Sequence, residues 1–156
     1  MDQAVETVRI SSTDYYDFID PLRTLTDVQR LERAEKILDN MPGAFPKALS
    51  YVMRLSHITI EQLAENAHIS PSTIDRYKRF GRETSYNPEK IVAMCIAMHL
   101  PPWLSTELLK AAGISLTGTR RNRELARITH MMFKCSVDEV QESLTSYGGK
   151  PLKLSA

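Results

Sequence analysis

Proline and glycine frame this chain, because they stand between stretches whose apolar residues recur every three or four positions. Pro42, Gly43 and Pro46 bracket one break, and the stretch from Gly81 to Pro88 makes a second. Pro101, Pro102, Gly113, Gly118, Gly148 and Gly149 mark the others. The intervals left over have room only for short helices, and each carries its own start signal.

Leu25, Val28, Leu31, Ile37, Leu38 and Met41, with Thr26 as N-cap, predict a helix over 26–40. Ala48, Leu49, Val52 and Met53 predict another over 46–56, and Thr59 introduces a short one over 60–67. Ser70 followed by Pro71 is an N-cap with proline at the first helical position, opening a helix that runs to about residue 80. Asn87-Pro88-Glu89 repeats that signal for 88–99, and Pro102 begins a helix that Gly113 stops. Leu125, Ile128 and Met132 share a face of a helix over 119–134. Ser136 and Glu139, at capping-box spacing, open the last one over 137–147. Val5, Val8 and Ile10 read as a short strand. The expected fold is all-α.

Several classes fall away on composition. Six scattered glycines supply no glycine-rich loop to cradle phosphates, which excludes P-loop and dinucleotide folds. The longest apolar run, Ile91 to Met98, is far short of the ~20 residues of a membrane-spanning helix. The start of the chain lacks a basic region followed by an apolar one, and two distant cysteines make no disulfide framework. A cytoplasmic location is expected.

Charge is unevenly placed. Residues 1–44 carry a net −4, residues 45–115 a net +2 and residues 116–156 a net +3. Arg76, Lys78, Arg79 and Arg82 follow one another with no acid among them. A run like this is ordinarily a solvated helix face unless something beneath it gives it a shape to act through.

That something is the segment 59–80, TIEQLAENAHISPSTIDRYKRF. Leu63, Ala67, Ile69, Ile74 and Tyr77 fall where two helices of a helix-turn-helix pack, and Ala64 is the small residue at their close approach. Burying Ile74 and Tyr77 turns Ser72, Arg76 and Arg79 outward together as one stripe. The segment and its flanking helices resemble the phage-repressor-like, Xre-type helix-turn-helix family over roughly 45–113. His68 stands where that family usually carries glycine, and Ile60 where a glutamine is common. Histidine tolerates left-handed backbone better than most residues, so His68 is expected at positive φ.

The resemblance implies a five-helix DNA-binding domain over 45–115, an acidic N-terminal extension with one helix over 1–44 and a C-terminal helical extension over 116–156. It assigns base reading to the N-terminal half of the helix opened by Pro71, matching Ser72, Thr73 and Arg76. An arginine there can donate two hydrogen bonds to guanine O6 and N7. Lys78, Arg79 and Arg82 are placed for phosphate, as is Thr59 with the amides that follow it. Asp75 is expected to pair with Arg79.

Other constellations are weaker. Cys95 and His99 stand four apart on one helix, with His130 and Cys135 as further ligand types, but Cys95 lies in a core run. Trp103 and the Met131-Met132-Phe133 cluster read as packing residues. No catalytic motif appears, and neither enzyme activity, a cofactor nor a metal is expected. The expected function is a sequence-specific regulator of double-stranded DNA acting as a homodimeric repressor. The alternative is a protein-interaction module, antitoxin-like or adaptor, using the terminal extensions. No membrane partner is expected.

Overall fold

Six of the eight described helices begin at a side chain that caps them by hydrogen bond. The computed structural model describes residues 26–79 and 85–155. Its helices are α1 (Asp27–Asp39), α2 (Phe45–Leu55), α3 (Ile60–Ala67), α4 (Pro71–Tyr77), α5 (Pro88–Ala97), α6 (Pro102–Ala111), α7 (Arg120–Met131) and α8 (Val137–Ser146). Thr26, Thr59 and Ser136 close capping boxes with Gln29, Gln62 and Glu139. Ser70, Asn87 and Thr119 accept from first-turn amides of α4, α5 and α7. Prolines occupy the first turn of α2, α4, α5 and α6, where a missing N–H is not needed. No strand occurs among the described residues, and the short strand expected around Val5–Ile10 lies outside them.

Five helices end in one way. His57, His68, His99, Gly113 and Gly148 take positive φ of 54°, 59°, 54°, 76° and 90°. The next residue in each case donates its N–H to the carbonyl five positions back: Ile58 to Met53, Ile69 to Ala64, Leu100 to Cys95, Ile114 to Leu109 and Gly149 to Leu144. This is the Schellman closure, which satisfies carbonyls that the helix end would orphan. It stops α5 at Ala97, short of the expected 99, because His99 leaves the helix. α4 stops at Tyr77 rather than 80, with the Lys78 N–H turned back onto carbonyls of the last turn. α7 ends at Met131 rather than 134, where Met132 leaves helical geometry at φ −119°.

α5 is the centre of the molecule. Its apolar run has no polar face, and every residue from Ile91 to Met98 is buried, as that pattern demands. It packs against α3, α6, α7 and α8, while α2 packs on α4 and α6. Leu125, Ile128, Val137, Val140 and Leu144 of the last two helices join the same core, as do Leu152 and Leu154 beyond them. α1 stands apart. Only its Ile37 is buried, and the buried Tyr51 hydroxyl donates to the Ile37 carbonyl at 2.6 Å, while Val28 and Leu31 stay exposed.

Candidate nucleic-acid interface

Three residues join α3 to α4. His68 takes the left-handed conformation expected of it, Ile69 drops into the core, and Ser70 caps α4. The Ala64 carbonyl accepts from both His68 N and Ile69 N, so the turn is fixed by backbone bonds before any side chain acts. Leu63, Ala64, Ile69, Ile74 and Tyr77 are all buried, as the spacing requires. Tyr77 also fixes the far end of α4. Its ring meets Phe45 and Tyr86 edge-on at 6.1 and 5.1 Å, and its hydroxyl accepts from Asn87 N at 3.1 Å.

Held this way, α4 exposes Ser72 and Arg76, and Arg79 is exposed two residues beyond its end rather than on the helix as expected. The Arg79 guanidinium meets the Asp75 carboxylate at 2.5 Å, the pairing expected one turn apart. Arg76 lies 5.7 Å from the Tyr77 ring centroid, a cation–π distance that orients its guanidinium. Lys78 is half-buried at the C-cap.

Thr73 sits differently from the expectation of a base contact. It is 7% exposed, and its hydroxyl lies 2.8 Å from Ser70 Oγ. As the third helical residue it faces the capping side chain, which turns it inward and leaves the outer face to Ser72 and Arg76. Thr59 is exposed, but its Oγ1 already accepts from Gln62 N at 3.1 Å and its own N–H donates to Gln62 Oε1 at 2.9 Å. What it retains for a ligand is one hydroxyl proton. Arg82 lies outside the described residues.

The cysteines and histidines are dispersed. Burial pushes the Cys95 thiol up to about 12, and His99 Nδ1 donates to the Phe133 carbonyl at 2.9 Å. His130 Nδ1 faces the Ala126 carbonyl at 2.9 Å. No group of three metal-binding side chains occurs among the described residues. No described helix is long and apolar enough to cross a membrane. Trp103 is half-buried against the core; Met132 and Phe133 are likewise, but Met131 is 74% exposed.

Sequence reasoning missed two links. His68 Nε2 reaches Asp138 Oδ1 at 2.8 Å, tying the turn to the start of α8. Arg121 joins both Glu89 oxygens, Glu124 and the Lys150 and Pro151 carbonyls. The His68–Asp138 and Arg121–Glu89 pairs have no local sequence signal, since the partners are far apart along the chain.

No family model, curated protein or solved structure matches this chain.

Proposed function

We propose that this chain is a sequence-specific transcriptional regulator, a dimeric repressor that reads the major groove of duplex DNA with α4. The observation that supports the reading most is the exposure of Ser72 and Arg76 on a helix pinned by Ile74 and Tyr77, with Arg79 exposed just past its end, after a three-residue turn that opens on the left-handed His68. Arg76 supplies the planar fork that matches guanine O6 and N7, and Ser72 reaches a neighbouring base. Arg79, steered by Asp75, and Lys78 hold phosphate, with Thr59 donating its hydroxyl proton to another. The chemistry asks for no cofactor, metal or catalytic group, and the chain works in the cytoplasm.

The test is selection of bound duplexes from a random pool by the purified chain, followed by footprinting. The expected product is a two-fold-symmetric site with half-sites about one helical turn (~34 Å) apart. A folded protein that enriches no sequence at low salt refutes the reading.

One observation favours a second reading, a protein-interaction module. Val28 and Leu31 on α1 are 63% and 69% exposed, within the acidic N-terminal third. A stoichiometric protein partner, retained when Arg76 and Arg79 are replaced, would put that reading first.

A further inference from the structure

We infer that the outward face of α7 is a second nucleic-acid contact, a track of cations for the phosphodiester backbone of duplex DNA; the inference builds on the DNA-binding reading above. Arg120, Arg123 and Arg127 recur at steps of three and four along α7, and Lys134 follows beyond the helix's end. All four are exposed, while Leu125 and Ile128 are buried on the opposite side of α7. Along the helix such spacing keeps the three arginines in one line.

Acids are sparse along that line. The one acid between residues 119 and 134 is Glu124, 7% exposed. Its carboxylate accepts from Arg121 at 3.1 Å and from the Tyr147 hydroxyl at 3.0 Å, and forms an ion pair with Arg120 Nε at 3.7 Å, which leaves Arg123, Arg127 and Lys134 without an acidic partner among the described residues. Arg127 donates to the same Tyr147 hydroxyl at 3.1 Å, a neutral partner that leaves its charge unpaired. Lys134 lies 6.0 Å from the Phe133 ring centroid, and Arg123 makes no ion pair among the described residues. α8 carries Asp138, Glu139 and Glu142, but Asp138 meets His68 and Glu139 caps its own helix.

Like charges three and four apart repel along a helix, and soluble helices ordinarily intersperse acids to relieve this. The face is therefore strained alone and relieved by a dense line of negative charge. A duplex backbone is such a line, with one charge per ~3.4 Å on each strand.

α7 and α4 belong to one packed body: α7 packs on α5, α5 on α3, and α3 on α4. A lone short helix makes few phosphate contacts, and phosphate neutralisation supplies much of the affinity for DNA. The α7 track adds the contacts that α4 lacks.

The experiment measures binding of the full chain to a random-sequence DNA duplex of ~21 base pairs, about two helical turns, across a salt series. Four proteins are compared: wild type, Arg123→Gln/Lys134→Gln, Arg76→Ala/Arg79→Ala, and Lys36→Gln/Lys47→Gln, which removes the same charge from exposed sites on α1 and α2. The track variant is expected to bind about tenfold more weakly at low salt, with the salt slope reduced by about two. The Lys36/Lys47 variant is expected to match wild type; an equal loss there means net charge alone acts, and overturns the inference. Loss in the α4 variant with no change in the track variant removes the track and keeps the α4 reading. The reverse keeps the track and removes the α4 reading. Preference of the track for anionic phospholipid vesicles over the duplex would also overturn the DNA assignment.

Discussion

His68 Nε2 lies 2.8 Å from Asp138 Oδ1, so the turn between α3 and α4 is tied to a helix 70 residues further along the chain. The pair is exposed, with the two side chains 48% and 81% accessible, and solvent screens it to a small contribution. Backbone conformation therefore decides what substitutions at His68 do. His68→Gly relieves the left-handed strain, and is expected to leave stability within about 0.5 kcal/mol of wild type after losing so weak a pair. His68→Val puts a β-branched side chain at φ 59° and is expected to cost about 1–2 kcal/mol. Urea unfolding of both variants checks this, and equal midpoints would contradict it.

Tyr51 joins α1 to the rest of the molecule. Its hydroxyl satisfies one of the carbonyls that the end of α1 leaves open, so Tyr51→Phe is expected to cost about 1–2 kcal/mol. Burial also pushes the Tyr51 hydroxyl up from 10.0 to about 12, against a smaller opposing pull from Arg54. A group with a raised folded pKa gives stability that is complete below its unfolded value and is lost as pH rises through the folded one. Wild type should therefore lose stability between pH 10.0 and about 12 by an amount that Tyr51→Phe does not share. Urea midpoints across that window report the difference, and parallel curves would contradict it.

Arg121 fastens the segment after α8 to α5 and α7. Burial of Glu89 raises its carboxyl, but the bonds from Arg121 and the Lys153 N–H outweigh this and hold it below 4.5. The Arg121 bond, against burial and aided by Tyr147, holds Glu124 below 4.5 as well. Carboxyls lowered in this way give stability above their unfolded pKa, lost as pH falls through the folded values. Arg121→Gln is expected to cost about 2 kcal/mol or more at neutral pH, with the gap to wild type narrowing below about pH 4. Unfolding measured at both pH values tests this; a constant gap would contradict it.

The helix starts were legible because each is written locally, in Thr26, Thr59, Ser70, Asn87 and Ser136. The exposure of Ser72 and Arg76 was legible for a related reason, since burial of Ile74 and Tyr77 and the helical period together turn them outward; Arg79 was not placed by that period, because α4 stops at Tyr77. Thr73 was not, because its inward turn depends on the Ser70 hydroxyl rather than on the period. The left-handed His57 and His99 were not either, since a histidine in sequence carries no sign of positive φ unless a motif raises the question, as it did at His68. Arg121 was invisible for a different reason: Glu89 lies 32 residues before it and Lys150 lies 29 after it. The α7 track has a local signal in the arginines of 120–127, and the burial of Glu124 is what the sequence withheld.

The central claim is that Arg76 reads a base while Arg79 holds a phosphate. Binding of Arg76→Ala and Arg79→Ala to a selected duplex and to a random one, across a salt series, tests it most directly. Arg76→Ala is predicted to lose about 1–3 kcal/mol on the selected duplex and much less on the random one. Arg79→Ala is predicted to weaken both by similar factors and to reduce the salt slope by about one. Equal losses on both duplexes for Arg76→Ala would make Arg76 a backbone clamp and contradict base reading. No effect from either variant would make the α4 face a solvated surface and contradict the account altogether.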